Sequence, residues 1–106
     1  MTSRNETALA ADAVKALRSI GALCERVQSG EAQGRHGGHM QLASKGTPDW
    51  LAVFRGRVHL LEFKRPGEQP SPDQVDWHER AERRGVTVHV VSSVEQALRA
   101  VTGGQP

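Results

Sequence analysis

The chain has little of what would tie it down covalently or bury it deeply. One cysteine, Cys24, stands alone in 106 residues, which excludes an internal disulfide and the disulfide-stapled scaffolds of small secreted domains. Tyrosine is absent, and the aromatic residues are only Trp50, Phe54, Phe63 and Trp77. With 37% hydrophobic residues, a single domain of this size has a limited core that association with a second copy would help. No apolar stretch approaches the length of a membrane span or a signal-peptide core, so a soluble cytoplasmic protein with no membrane partner is expected. Neither sign of charge dominates, at 14 basic against 12 acidic residues, and composition alone does not announce nucleic-acid binding. Eleven of those cations are Arg, whose planar fork suits phosphate oxygens, although a GC-rich genome produces the same bias.

Apolar spacing from Arg4 to Ile20 predicts a helix, with Gly21 as its stop. Residues 22–28 carry Leu23, Cys24 and Val27 and read as a short strand. Residues 29–47 hold five glycines with Arg35, His36, His39 and Lys45 and no sustained period, which reads as a long mobile loop. Gly37-Gly38 between the two histidines argues against a helical zinc-binding pair. Further on, Ser71-Pro72-Asp73-Gln74 has each start signal of a helix, namely an N-cap, Pro at N1 and Gln at N3, and that helix is expected to reach about Arg84. Residues 86–91 form a β-branched strand, and Ser92 or Ser93 opens a last helix before a flexible tail, 102–106. The order α-β-(loop)-β-β-α-β-α implies one α/β domain, a mixed central sheet flanked by helices.

The segment between Asp49 and Lys64 is the most informative. Two apolar runs flank Arg55-Gly56, the pattern of a β-hairpin with a two-residue turn. Pairing Phe54 with Arg57 and counting outward sets Asp49 against Glu62, and directly opposed residues have Cβ atoms roughly 4.5–5.5 Å apart. Asp49, Leu51, Val53, Val58, Leu60, Glu62 and Lys64 then share one face, with Trp50, Ala52, Phe54, His59, Leu61 and Phe63 on the other. Two carboxylates held that close repel, and a divalent cation with a preference for oxygen ligands relieves them. Either acid could alone be a turn residue or a solvated strand end, but those roles do not explain why both meet on a face otherwise apolar.

Pro48-Asp49 followed after twelve residues by Glu62-Phe63-Lys64 resembles the PD-(D/E)xK nuclease superfamily. More narrowly, Gly46-Thr47-Pro48-Asp49-Trp50, Leu61-Glu62-Phe63-Lys64, Ser71-Pro72-Asp73-Gln74 with Trp77, and Gly85-Val86 resemble the VRR-NUC domain over nearly the whole chain. The resemblance implies one VRR-NUC nuclease domain across 1–106, with a restriction-endonuclease-like core α-β-β-β-α-β-α. It implies Asp49, Glu62 and the Phe63 carbonyl as ligands of Mg²⁺ or Mn²⁺, Lys64 as the motif lysine, Gln74 as the family glutamine and Glu6 as its acidic residue. Gln74 is equally accounted for by the capping box, and Glu6 by its place near a helix start. Arg35, Lys45 and Arg65 are candidates for phosphate contact, while Arg80, Arg83 and Arg84 suit a solvated face.

The function expected is a metal-dependent endonuclease acting on DNA in replication, recombination or repair, in a bacterial or phage-infected cell. Without an aromatic-rich surface for base reading, selection rests on shape, and the resemblance implies branched DNA such as junctions or flaps. A homodimer would offer two sites to two strands. The alternatives are a DNA-binding module of the same fold that cuts weakly, and a ribonuclease using the same site.

Overall fold

The computed structural model describes residues 5–27, 31–33, 39–41 and 43–104. Helix α1 (Glu6–Ser19) starts where the Asn5 Oδ1 accepts the Ala8 N–H at 2.7 Å, satisfying a donor that the first turn leaves open. Leu9, Ala13, Val14 and Leu17 are buried along one stripe. Gly21, at φ 97°, then lets the chain reverse into strand β1 (Leu23–Arg26).

Within 29–47 the structure departs from an irregular loop. Strands β2 (Glu31–Gln33) and β3 (His39–Gln41) pair antiparallel, Ala32 opposite Met40. Each is three residues of polar-apolar-polar alternation, too short a run to stand out against the surrounding glycines. Arg35 and His36 lie outside the described residues.

Strands β4 (Trp50–Phe54) and β5 (Arg57–Phe63) make the hairpin in the expected register, from Phe54 opposite Arg57 to Trp50 opposite Leu61. Arg55 and Gly56 have φ of 48° and 77°, as a type I′ turn demands at both central positions. The left-handed Arg55 holds its guanidinium 4.9 Å from the Phe54 ring centre.

Helix α2 (Pro72–Glu82) opens on a complete capping box: the Ser71 Oγ accepts the Gln74 N–H at 3.3 Å, and the Gln74 Oε1 accepts the Ser71 N–H at 2.8 Å. It ends two residues before Arg84, the chain turning through Arg83 and Arg84 to Gly85. Strand β6 (Val88–Val91) lies parallel to β5, so the sheet order is β1-β4-β5-β6 with the hairpin at its centre. Helix α3 (Val94–Thr102) closes with Gly103 left-handed and the Gly104 N–H on the Arg99 carbonyl at 3.1 Å. Residues 102–104, expected in a flexible tail, therefore belong to the helix and its cap, because adjacent glycines supply the positive φ that a helix end uses.

The two sheet faces are unequal. Ala52, Leu61 and Phe63 are fully buried against α1 and α3, with Cys24, Val91, Ala97 and Val101 completing the core. Among the described residues, the one helix over the opposite face is α2, which buries no residue. Trp77 and Ala81 of α2 border Leu60 beneath them, while Leu23 and Val58 stay 58% and 62% exposed. Among the described residues no helix is long and apolar enough to cross a membrane.

Candidate functional site

The open end of the hairpin, away from Arg55-Gly56, gathers most of the charged residues expected to act. Asp49 sits one step outside the last paired residue of β4, and its carbonyl accepts the Val27 N–H at 2.8 Å. Lys64 follows β5 directly, its N–H on the Val91 carbonyl at 3.0 Å. Backbone bonds to both neighbouring strands thus pin the two ends of the constellation before any side chain contributes. Glu62 lies between them in sequence and opposite Asp49 in register.

Glu62 is wholly buried, and no hydrogen-bond donor reaches either of its oxygens. An isolated buried carboxylate is expensive to ionise. Its pKa is pushed up to about 9, first by burial and then by the Asp49 carboxyl, with Lys64 opposing. A group in that condition either holds a proton or requires a cation beside it. A buried carboxylate with unpartnered oxygens beside a second carboxylate supplies the hard donors that Mg²⁺ and Mn²⁺ prefer, so Glu62 and Asp49 fit a divalent ion. Among the described residues no group of three or more His, Cys, Asp or Glu side chains is arranged as a ready-made cation site, so the remaining ligands would be backbone, water or substrate oxygens.

Lys64 is 11% exposed and stands between two acids, 3.9 Å from the Glu6 Oε1 and 3.8 Å from the Glu68 Oε1. Glu6 is thereby brought to the cluster by the first turn of α1, and its pKa is raised, chiefly by burial and against the pull of Lys64. Phe63 buries its ring on the core face and borders the same cleft. Gln74 is committed through its amide oxygen to the capping box.

The phosphate candidates divide. Arg65 is held by Glu68 through two bonds, 2.9 and 3.2 Å, which holds the Glu68 carboxyl below its ordinary range. Lys45 is exposed in the turn before Pro48. Arg35 falls outside the described residues.

Several residues enter that the sequence did not single out. Glu68, in the connector after β5, braces both Lys64 and Arg65. His78 of α2 points its Nε2 to within 3.6 Å of the Glu62 Oε1, and burial lowers its pKa. A cleft of about 610 Å³ runs between α1 and the sheet, and its lining includes Glu6, Asp49, Trp50 and Phe63 together with Lys15, Arg18 and Arg26. Lys15 and Arg18 are three apart on α1, a spacing that places them on one face and was the available signal. His78 falls four residues after Gln74 on the same helix face, so extending that face by one turn would have found it. Glu68 had no comparable sign, since its position depends on how the connector folds back.

No protein-family model matches the chain, and a search of curated proteins finds no match. Among solved structures, one described as a VRR_NUC domain is similar with a TM-score of 0.68 and 28% identity, over 92% of this chain and 94% of that one.

Proposed function

The chain is a VRR-NUC domain protein with a restriction-endonuclease-like mixed sheet, and from that premise we propose that it is a Mg²⁺- or Mn²⁺-dependent endonuclease acting on DNA. The observation that carries the reading is Glu62, a fully buried carboxylate with both oxygens unpartnered, one step beyond the Trp50–Leu61 pair, with the Asp49 carboxyl close enough to raise its pKa and Lys64 two residues on. A protein with no use for a cation there gains nothing from that repulsion.

When bound, a divalent cation supplies polarisation of the scissile phosphate and a more acidic water. Asp49 and Glu62 would hold it, with the Phe63 carbonyl as a further oxygen donor. Lys64, braced between Glu6 and Glu68, keeps its ammonium in place to stabilise charge growing on the phosphate, a preorganised electrostatic role. Glu6 orients that lysine and would offer an oxygen to a second cation. The Gln74 amide N–H groups, not used by the cap, donate to water or phosphate. Lys15, Arg18 and Arg26 along the α1 cleft carry the DNA backbone toward the acids, a sequence-independent contact. Lys45, exposed before Pro48, adds a further phosphate contact, Arg65 joins it by leaving Glu68, and Arg35, outside the described residues, stays a phosphate candidate on its residue type alone.

Branched DNA is the substrate class, because backbone contacts read shape and, among the described residues, the aromatic rings of the cleft, Trp50 and Phe63, belong to or pack against the core. The protein works as a homodimer in the cytoplasm. Leu23, Val53 and Val58 lie side by side across three strands on the thinly covered sheet face, an apolar strip suited to a second copy. The test is cleavage of labelled four-way junction, flap, duplex, single strand and RNA, with Mg²⁺, Mn²⁺ or EDTA, by wild type and Asp49→Ala. Metal-dependent cutting of branched DNA, lost in the variant while DNA binding persists, is expected. Cutting by Asp49→Ala at the wild-type rate overturns the site assignment, preferential cutting of RNA overturns the substrate class, and no cutting by folded wild type leaves a binding module of the same fold.

A further inference from the structure

Glu62 has two oxygens, and a cation shared with Asp49 does not by itself say what holds the other. Two buried polar groups without hydrogen-bond partners meet here, the Glu62 carboxylate and the His78 Nε2, and they stand 3.6 Å apart. One is an acceptor and the other, in the tautomer protonated at Nε2, a donor. A contraction of a few tenths of an ångström turns this approach into a hydrogen bond.

The carrier of His78 is held in place independently. Gly46, at φ 89°, passes so close to α2 that an added Cβ would run into the Asp73 carbonyl oxygen, and the Ser71/Gln74 capping box fixes the first turn of the same helix. His78 lies one turn further on, over the sheet face that carries Glu62. We propose that His78 is a positioning residue that binds the Glu62 Oε1, leaving the other carboxylate oxygen to the cation and setting how Glu62 coordinates it. The inference rests on the metal-site reading above and assigns a role in it to α2 as well as the hairpin. Donors behind a ligating carboxylate orient it and are worth about 10–100-fold in metal affinity.

The experiment is a Mn²⁺ titration followed by electron paramagnetic resonance on wild type, His78→Leu and His78→Gln, with each variant's melting curve. Leu removes the donor at similar bulk, whereas Gln restores an N–H at similar reach. Affinity about tenfold weaker in His78→Leu and within about threefold of wild type in His78→Gln is expected. Wild-type affinity in folded His78→Leu, or equal loss in folded His78→Gln, overturns the role of His78 alone; wild type that binds no Mn²⁺ overturns the metal site with it. Should neither variant fold, imidazole ¹⁵N spectra of wild type with Mg²⁺ decide the matter. A proton on Nε2 of His78 upholds the bond, and a proton on Nδ1 alone excludes it.

Discussion

Glu62→Gln should make the metal-free protein more stable while removing its response to metal. In the folded chain the Glu62 carboxyl is raised from 4.5 to about 9, so between those values the folded state binds a proton that the unfolded state has released. Stability must then fall as pH rises through that window. Each pH unit above the unfolded value costs about 1.4 kcal/mol, or about 3 kcal/mol by pH 7 and about 6 kcal/mol above pH 9. Glutamine has the same shape and no charge to desolvate, and its amide N–H can donate to Asp49. Burial of the amide returns part of the gain, leaving about 1–2 kcal/mol at pH 7, or roughly 5–10 °C in Tm for a domain of this size. Calorimetric scans in EDTA at pH 5, 7 and 9 should show wild type losing stability with pH and Glu62→Gln much less affected. Added Mn²⁺ should raise the wild-type Tm and leave the variant unmoved. A variant less stable than wild type in EDTA at both pH 7 and pH 9 would refute the reasoning, because it would mean that Glu62 is satisfied by partners of its own.

Gly46→Ala puts a methyl carbon into the Asp73 carbonyl at a left-handed φ; a loss of about 2–3 kcal/mol is expected from chemical denaturation, together with weaker metal binding as α2 shifts. Gln74→Glu preserves the capping box but removes the amide donors, so an unchanged Tm with a fall in kcat marks a site role, whereas unchanged values of both leave Gln74 as a cap only. Lys15→Gln with Arg18→Gln should weaken DNA binding uniformly across substrates and reduce the slope of log affinity against log salt by about 2, read by fluorescence anisotropy; an unaltered slope removes the α1 cleft from the DNA path.

What the sequence by itself determined was everything carried by short-range rules. The Arg55-Gly56 turn admits one hairpin register, and that register decides which acids oppose each other, since a strand alternates its faces with a period of two. Ser71, Pro72 and Gln74 spell out the start of α2 through local hydrogen bonds. The pair Asp49 and Glu62 was therefore legible, as was Lys64 two residues on. Glycine-rich context concealed β2 and β3, whose three-residue alternation is weaker than the breaker signal around it.

Only the tertiary structure decided what surrounds that pair. Whether Glu62 is solvated or wholly buried depends on α2 lying over one sheet face and on α1 with α3 covering the other, and no local spacing specifies how deeply a strand end is covered. Glu6 reaches Lys64 across some sixty residues of chain, Glu68 folds back onto it from the connector, and His78 arrives from the crossover helix. Such groups share no periodicity with one another. Their proximity is a product of packing, and packing is also what turns an ordinary carboxylate into one that keeps its proton to about pH 9 unless a positive charge stands beside it.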